Sequence, residues 1–377
     1  MIHVAQAYSD YKMINDMTTS CATKTAPSKN DTERRSFSLG VLNNYPDSDE
    51  TRLFLTPEAC GMLHTMGIRI VLESGAGLDI NYTDEAYAAA GVEIKTRGEA
   101  LACDIVLSVR SLTCADARLM RKGATLVTLY DAGLPRDTVQ TLIDMHITLL
   151  ALDRMESDNE IPIFARMLDE IDGRAAILYA QEGLSFLGEG KGVLLSGMPG
   201  LQPCEVLIIG AGWRVQAAAK AALQVGARVT LMDNDISSLY EAQAECGNTL
   251  ITSVVHPKVL YNDVKSADVI ILDRCTRDFS FPKQLSLAMK DNVYLLDLED
   301  TTPSIIVPRT VAMSMSNCLV NFFSETLAMG GINRQVSNLA GVQLGVVTYR
   351  GCLVDKAIAT KLGMPSLDLG MLFTQSN

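Results

Sequence analysis

The chain lacks the features that mark membrane proteins and secretory precursors. No apolar run among its 377 residues reaches the ~18 residues that a helix needs to span a bilayer. The first 35 residues show no basic start followed by an apolar stretch, and they carry Asp10, Asp16, Asp31 and Glu33. These absences predict a cytoplasmic protein with no membrane insertion.

The chain is also poor in positive charge and in groups that bind metals. Its net charge is −12 and its Lys and Arg residues form no cluster, which argues against nucleic acid and anionic membranes as partners. The nine cysteines are scattered, with no C-x-x-C pair and no Cys/His spacing typical of zinc, so we expect free thiols in a reducing compartment and no metal site. Cys60, Cys103 and Cys318 lie in apolar patterns and are expected in the core.

What the chain does contain is a regular alternation of short β-type runs and helical stretches. The first runs cover residues 37–42, 68–73, 105–109, 125–129 and 148–151. Strands separated by helices form right-handed crossovers and parallel sheets. A second alternating unit extends from about Glu205 to Leu298. The fold class is therefore predicted as α/β, with two Rossmann-like doubly wound parallel-sheet domains joined by long helices.

Helix signals set the expected connections and domain limits. Thr56 as N-cap and Pro57 at the first helical position predict a helix over residues 57–66. A helical pattern over Ile171–Leu187 is suited to linking two domains, and the tail from Val311 to Phe373 opens with a further long helix that is expected to return to the first unit. We predict a loosely ordered arm over residues 1–35, one domain over 36–165 plus 325–377, and another over 166–324.

The strongest local signal is a glycine turn between an apolar strand and an Ala-rich helix. Val206–Ile209 precedes Gly210 and Gly212, and the helix follows at once. Gly210 permits the tight turn, and Gly212 lets the backbone approach a pyrophosphate at the helix N-terminus. A second strand ends at Asp233, about 20 residues past the glycines, where a carboxylate would bind a ribose 2′-hydroxyl. The pattern predicts NAD as the cofactor rather than NADP.

One residue of the turn, Val215, departs from the usual fingerprint. Val215 occupies the position of the third glycine, which normally allows close packing of helix and strand. Trp213, the one tryptophan of the chain, could line the cofactor groove or partly fill it, and Arg214 lies between the two. We count all three among the cofactor-binding candidates. The alternative is a Rossmann scaffold that has lost its ligand.

From Leu39 onward the chain resembles the alanine dehydrogenases and the related NAD(H)-binding subunit of transhydrogenase. Arg52–Pro57 looks like R-x-A-L-T-P, and Glu73–Gly77 is similar to E-x-G-A-G. Further motifs occur in the family's order at residues 82–84, 89–91, 191–200, 307–310 and 316–317. The resemblance implies a substrate and catalytic domain first in the chain and an NAD-binding domain after it. The implied reaction is oxidative deamination of L-alanine to pyruvate and ammonia.

The resemblance also implies roles for individual residues. Arg52 matches the arginine that holds the substrate carboxylate, although a surface arginine is the alternative. Arg110 stands where the family has a catalytic lysine, and an arginine binds anions but does not act as a base. Asp131 stands where the family has a catalytic histidine; it could act on protons or pair with Arg110. The histidines His3, His64, His146 and His256 match no catalytic position.

A larger departure follows the last predicted strand of the second unit. The family places D-x-x-x-D-Q-G-G there, and a further segment ends in H-Y-x-V-x-N-x-P. In this chain Leu295–Pro303 runs almost directly into Val307 and Pro308, so a catalytic aspartate and cofactor contacts are missing. Asp297 or Asp300 could replace that aspartate only in part.

Two classes of function remain open from the sequence. The first is an NAD-dependent dehydrogenase of L-alanine or a related small amino acid with degenerate catalytic residues, in which Arg52 and Arg110 bind the carboxylate and Asp131 acts on protons. The alternative is a weak or inactive paralogue that binds a nucleotide or a 2-oxo acid, or that assembles with an active relative. Either protein is expected to form a homo-oligomer.

Overall fold

A computed structural model of the protein describes residues 36–157, 159–273 and 283–374. The predicted arm over residues 1–35 lies outside the described residues. None of the helices in the described ranges combines the length and apolar character required to cross a bilayer.

The first half of the described chain builds one sheet and its covering helices. In chain order these elements are β1 Ser38–Val41, α1 Pro57–Thr65, β2 Arg69–Glu73, α2 Asp84–Ala89, β3 Glu93–Lys95, α3 Arg97–Leu101, β4 Ile105–Leu107, α4 Cys114–Leu119, β5 Thr125–Thr128, α5 Arg136–Asp144 and β6 Thr148–Ala151.

A long helix then leads into the second sheet. The elements are α6 Ile163–Leu184, β7 Glu205–Ile209, α7 Trp213–Gln224, β8 Arg228–Met232, α8 Ile236–Cys246, β9 Ile251–Ser253, α9 Pro257–Ser266, β10 Val269–Leu272, α10 Lys283–Ser286 and β11 Tyr294–Asp297. The remaining elements are α11 Pro308–Met329, α12 Ile332–Asn338, α13 Ala340–Gln343, β12 Val346–Tyr349, β13 Cys352–Leu353, α14 Lys356–Leu362 and α15 Leu369–Thr374.

The first sheet has eight strands in the order β13-β12-β6-β5-β4-β1-β2-β3. Strands β1 to β6 are parallel to their neighbours, with β1 between β2 and β4. The tail returns to this sheet as predicted, but β12 runs antiparallel to β6 and forms a hairpin with β13. The expectation of a purely parallel sheet was incomplete, because a returning edge strand can pair in either direction.

The second sheet is fully parallel, with five strands in the order β11-β10-β7-β8-β9. Its central strand β7 is buried along Val206–Ile209 and leads into the predicted glycine turn. Strand order reverses next to β7, so the crevice at its carboxyl end lies at a topological switch point, where open α/β sheets bind ligands. The α/β class with two Rossmann-like sheets is thereby confirmed.

Local capping explains where several helices begin. The Thr56 side chain accepts a hydrogen bond from the Ala59 amide, and Pro57 occupies the first helical position, as the sequence predicted. Strand β3 and helix α3 were missed from the sequence. The signal for α3 was present, because Thr96 and Glu99 form a reciprocal capping box.

Helix α6 connects the cores of the two sheets. It begins at Ile163, well before the predicted start at Ile171. Its first half, including Phe164 and Leu168, packs in the core of the first sheet. Its second half, including Ile177 and Leu184, packs in the core of the second. The long helix predicted to link the two units therefore contributes directly to both cores.

The cysteines that the structure describes are free thiols. Cys60 and Cys103 are buried, as predicted, and Cys318 is partly buried against the core of the first sheet. The domain limits at residues 165, 324 and 325 stay a prediction. The last of them falls within α11, whose buried residues up to Phe323 pack in the core of the first sheet.

Helices α6 and α7 approach each other most closely at Gly173. A Cβ atom at this position would lie 2.1 Å from the Arg214 carbonyl oxygen, so Gly173→Ala must push the helices apart. We expect a loss of about 1–3 kcal/mol in the free energy of unfolding, measured by denaturant titration. Gly98→Ala is the control, since nothing lies within 4 Å of a Cβ there. Equal stability of the two variants would contradict this close packing.

Candidate active site

The residues singled out in the sequence follow the carboxyl ends of parallel strands. The loop after β1 carries Arg52, the loop after β4 carries Arg110, and the loop after β5 carries Asp131. In the second sheet, Gly210 follows β7 and Asp233 follows β8. Because the carboxyl ends of parallel strands lie at one edge of a sheet, each set of residues shares an edge.

Arg52 is buried and already bound to a carboxylate of its own loop. Its Nε and Nη2 atoms donate to the two oxygens of Glu50, each at 2.7 Å. Its Nη1 atom lies 3.3 Å from the Ser304 hydroxyl oxygen. Arg52 is 6% exposed and Glu50 is 2% exposed, which excludes the surface-arginine alternative. The predicted carboxylate clamp is saturated by Glu50.

Arg110 contacts the same glutamate from the next strand end. Its Nε lies 3.4 Å from Glu50 Oε2, and 54% of its side chain is exposed. Burial alone would raise the pKa of the Glu50 carboxyl, but the hydrogen bonds and charge of Arg52, with the charge of Arg110, hold it below its ordinary value. The Glu50 carboxylate thus faces the guanidinium groups of Arg52 and Arg110. Together the three side chains carry one net positive charge, which is exposed on Arg110.

The Arg110–Asp131 pair considered from the sequence is not formed. Asp131 Oδ1 accepts the Gly133 N–H at 2.7 Å, as the start of a tight turn, and the residue is exposed. An aspartate that binds an amide two residues on follows local turn chemistry. Arg110 instead finds Glu50, since the loop after β1 brings that carboxylate to the end of β4.

A carboxylate missed by the sequence analysis lies at the neighbouring strand end. Asp153 follows β6 in a short 3₁₀ helix, Leu152–Arg154, and its Oδ1 accepts the Tyr130 N–H at 2.6 Å. Burial raises the pKa of the Asp153 carboxyl, while the Tyr130 N–H and the charges of Arg154 and Arg52 lower it in part. The signal for this residue was its place directly after a predicted strand, which the comparison with family motifs did not use.

The glycine turn has the geometry that a pyrophosphate requires. Gly210 has φ of 114°, and a Cβ atom there would lie 2.6 Å from the Asp273 carbonyl oxygen. Gly212 is the N-cap of α7 and has no side chain to cap the helix. The N–H groups of Trp213, Arg214 and Val215 find no acceptor among the described residues. The turn therefore offers unpaired donors at a helix N-terminus.

The three unusual residues of the turn are each accommodated by their surroundings. Val215 is fully buried in the core of the second sheet. The Trp213 ring is 40% exposed and lies under the Arg166 guanidinium, 4.8 Å from the ring centre. The guanidinium of Arg214 points to α6 and β11, with Nε 3.1 Å from Asp169 Oδ1 and Nη1 donating to the Leu298 carbonyl. Arg214 is therefore engaged by protein groups.

Asp233 lies at the end of β8 and is 5% exposed. Its Oδ1 accepts the Asp235 N–H at 2.7 Å. Its second carboxylate oxygen has no partner among the residues that the structure describes. That oxygen is available to accept a hydrogen bond from a ribose hydroxyl.

The shortened segment after β11 packs against the buried arginine. It forms a 3₁₀ helix, Pro303–Ile306, in which the Ile305 carbonyl accepts a hydrogen bond from the Thr51 hydroxyl at 2.6 Å. The Ser304 N–H donates to Asp172 on α6 at 2.8 Å, and Asp172 lies 4.0 Å from Arg214. A polar chain thus runs from Glu50 to the glycine turn. The partial replacement of the family aspartate by Asp297 or Asp300 stays a prediction; Asp297 Oδ1 accepts the Glu299 N–H.

Loss of the Glu50 charge is expected to destabilise the fold. Glu50→Gln leaves Arg52 buried without a counter-ion, which costs about 3–5 kcal/mol in the free energy of unfolding. Because the folded-state pKa of Glu50 is lowered, its contribution is complete above the pKa of the unfolded chain and is lost as pH falls through the folded value.

Chemical unfolding of the wild type and the variant, at neutral pH and at about pH 3, measures both effects. Glu170→Gln, which removes an exposed pair with Arg174, is the control and should change stability by less than about 0.5 kcal/mol. A difference between wild type and Glu50→Gln that stayed constant with pH would contradict the assignment.

Comparison with known proteins agrees with the fold and with the order of the units. The profiles described as "Alanine dehydrogenase/PNT, N-terminal domain" and "Alanine dehydrogenase/PNT, C-terminal domain" match residues 40–169 and 176–273. The second match ends at Asp273, before the shortened segment.

Full-length relatives lie at moderate identity. Alanine dehydrogenase of Mycobacterium tuberculosis is 27% identical over 354 residues, covering 84% of this chain and 95% of the relative. That of Bacillus subtilis is also 27% identical, covering 84% and 92%. A solved L-alanine dehydrogenase superposes with a TM-score of 0.77 at 21% identity, over 86% of this chain and 98% of its own, and so shares the fold. The chain belongs to the alanine dehydrogenase/PNT family.

Proposed function

We propose that the chain is an NAD-dependent dehydrogenase of a small amino acid, with L-alanine as the first candidate substrate. The observation that supports this most is the open N-terminus of α7, where unpaired amides, a glycine turn and Asp233 occur together. A pyrophosphate would rest on the amides of residues 213–215, and Asp233 would bind the adenosine ribose. When bound, NAD⁺ supplies the hydride acceptor.

Val215 and Trp213 are compatible with this cofactor. The valine side chain is taken up by the core, and the close approach of helices in this region is made by Gly173 of α6 instead of a third turn glycine. Trp213 begins α7 and contacts Arg166, which adds a cation next to the amides. A negative diphosphate would therefore be met by the helix dipole, whereas Arg214 is held by Asp169.

The substrate carboxylate is assigned to Arg110 in preference to Arg52. Arg52 donates to Glu50 through two nitrogens and contacts Ser304 with the third. Arg110 has one longer contact to Glu50 and keeps most of its donors exposed. A carboxylate that approached Arg52 would have to displace a buried glutamate, while one at Arg110 meets a free positive charge.

A weak or inactive binding protein remains the second candidate. It is favoured by the position of Asp131, the residue aligned with the catalytic histidine, which is exposed and whose Oδ1 accepts the Gly133 N–H of its own turn. In that case the same two sites would bind a nucleotide and a 2-oxo acid without turnover. Assembly into a homo-oligomer is proposed for both candidates and is measured by light scattering.

Nucleotide binding tests the first part of the proposal. Gly212→Val places an isopropyl group where the diphosphate must approach the backbone, so we expect NADH affinity to be lost. Titration of NADH, followed by Trp213 emission and by calorimetry, measures it. Gly98→Val adds the same side chain at an open site and should bind like the wild type. Unchanged affinity in Gly212→Val would place the nucleotide elsewhere.

Turnover of amino acids tests the second part. The wild type should form NADH with L-alanine or a related small amino acid, and Arg110→Gln should weaken binding of the matching 2-oxo acid by about 1.5–3 kcal/mol, or about 10- to 150-fold. Arg118→Gln, at an exposed position of α4, is the control. Binding of both ligands without NADH formation would select the binding protein, and an unaffected Arg110→Gln would overturn the carboxylate assignment.

A further inference from the structure

One partly buried carboxylate at the carboxyl edge of the first sheet, Asp153, forms no ion pair with another described residue. Asp153 is half-buried at the end of β6, next to the strand whose loop carries Tyr130 and Asp131. Its Oδ1 accepts the Tyr130 N–H, and its Oδ2 has no hydrogen-bond partner in another described residue. The Tyr130 amide therefore holds the side chain from the neighbouring strand end, and the backbone amide of Asp153 itself also donates to the carboxylate.

The cations around Asp153 leave its carboxylate without a salt bridge. Arg154, on the same 3₁₀ helix, lies over the Tyr130 ring at 3.9 Å from its centre. Arg52, from the loop after β1, is the other cation near Asp153, and it is neutralised by Glu50. The Tyr130 hydroxyl faces Asp355 at 3.3 Å, and Arg110 contacts Glu50. The positive charges of Arg154 and Arg52 stabilise the ionised form of Asp153, but neither guanidinium forms a salt bridge with it.

We propose that Asp153 is the catalytic proton acceptor of the dehydrogenase, in the role that the family resemblance gave to Asp131. This inference rests on the proposed function. With the substrate carboxylate on Arg110, at the end of β4, the amino group would have to reach past the end of β5 to the end of β6, because β5 lies between these two strands. Of the two candidate carboxylates at this edge, Asp131 is exposed and binds an amide of its own turn, whereas Asp153 is half-buried and is held by an amide of the neighbouring strand end.

The proton balance of the step is as follows. An N–H bond of the substrate ammonium breaks as an O–H bond forms on Asp153. The electron pair of the Cα–H bond leaves as hydride to the oxidised nicotinamide, and the nitrogen lone pair completes a C=N bond. Water then adds to that carbon and ammonia leaves, giving the 2-oxo acid. Asp153 returns its proton to solvent, so amino acid, NAD⁺ and water yield 2-oxo acid, ammonium, NADH and one proton.

The partly buried environment of Asp153 makes this carboxylate a better base than an exposed carboxylate would be. A general base is most effective when its pKa approaches the working pH. Burial raises the pKa of Asp153, and this effect outweighs the opposing charges of Arg154 and Arg52. The same desolvation has a consequence for stability: the charged form is disfavoured in the folded state, so stability falls as pH rises from the unfolded pKa to the folded one.

The experiment compares the pH dependence of kcat/KM in carboxylate variants. In the wild type kcat/KM falls on the acid side as Asp153 is protonated. Asp153→Asn should lower kcat by about 10²- to 10⁴-fold and abolish this acid limb, whereas Asp153→Glu should keep the limb at a shifted pH. Asp144→Asn, at an exposed position of α5, is the control and should keep the wild-type profile.

A readout independent of turnover separates catalysis from folding. Asparagine can still accept the Tyr130 N–H, and the buried charge is gone, so Asp153→Asn should unfold at the same temperature as the wild type or higher at pH 7.5. The pKa values of Asp153, Asp169 and Asp263 are all raised by burial, so in protein labelled at the aspartate carboxyl carbon one of these resonances should be missing from this variant. If Asp153→Asn unfolded at a lower temperature than the wild type and kept the acid limb, Asp153 would have a structural role and no catalytic one.

The outcomes distinguish the two proposals. Failure of the wild type to form NADH with any amino acid would overturn the dehydrogenase function itself. An active wild type in which Asp153→Asn keeps the acid limb would overturn the role of Asp153 alone. Loss of the limb in Asp131→Asn, with Asp153→Asn unaffected, would return the role to the residue predicted from the family pattern.

Discussion

The geometry of the site depends on the buried ion pair between Glu50 and Arg52. A buried carboxylate and a buried guanidinium are tolerated only when their hydrogen bonds are nearly complete, because each is costly to remove from water. Here two parallel N–H···O bonds of 2.7 Å satisfy both groups. The remaining donor of Arg52 reaches Ser304, whose amide binds Asp172 of α6. This chain of contacts fixes the loop after β1 against the segment after β11 and so places the edge of one sheet next to that of the other.

The same pair decides where an anion can bind. Arg52 and Arg110 supply two positive charges and Glu50 removes one, so the cluster carries one net positive charge. The exposed Arg110 is the more accessible of the two cations, since each side-chain nitrogen of the buried Arg52 already contacts a protein oxygen. A sequence comparison assigns both arginines to the ligand because it sees only residue types. The structure separates them by burial, with Arg52 holding the loop in place and Arg110 facing the solvent.

Much of the fold could be predicted from the sequence, because its signals are local. Apolar runs bounded by turns marked β1, β4 and β7, and the Thr56–Pro57 pair marked the start of α1. The antiparallel direction of β12 could not be predicted from local signals, because the direction in which a strand pairs depends on where the returning chain meets the sheet edge. The strand-end positions of Arg110, Asp131 and Gly210 were likewise predictable. Their partners were not, because Glu50 and Asp273 reach them through loop geometry that no local pattern encodes.

The contrast between Asp131 and Asp153 shows why the residue at an aligned position need not inherit its function. Both follow adjacent parallel strands of one sheet, and each binds a backbone amide through Oδ1. Asp131 binds an amide of its own loop and remains in contact with solvent. Asp153 binds an amide from the neighbouring strand end, which holds it inside the edge where desolvation raises its pKa. At a site that has no described histidine and no lysine in the family position, a carboxylate can only become a useful base through such burial, and among the described residues of this edge the position after β6 provides it.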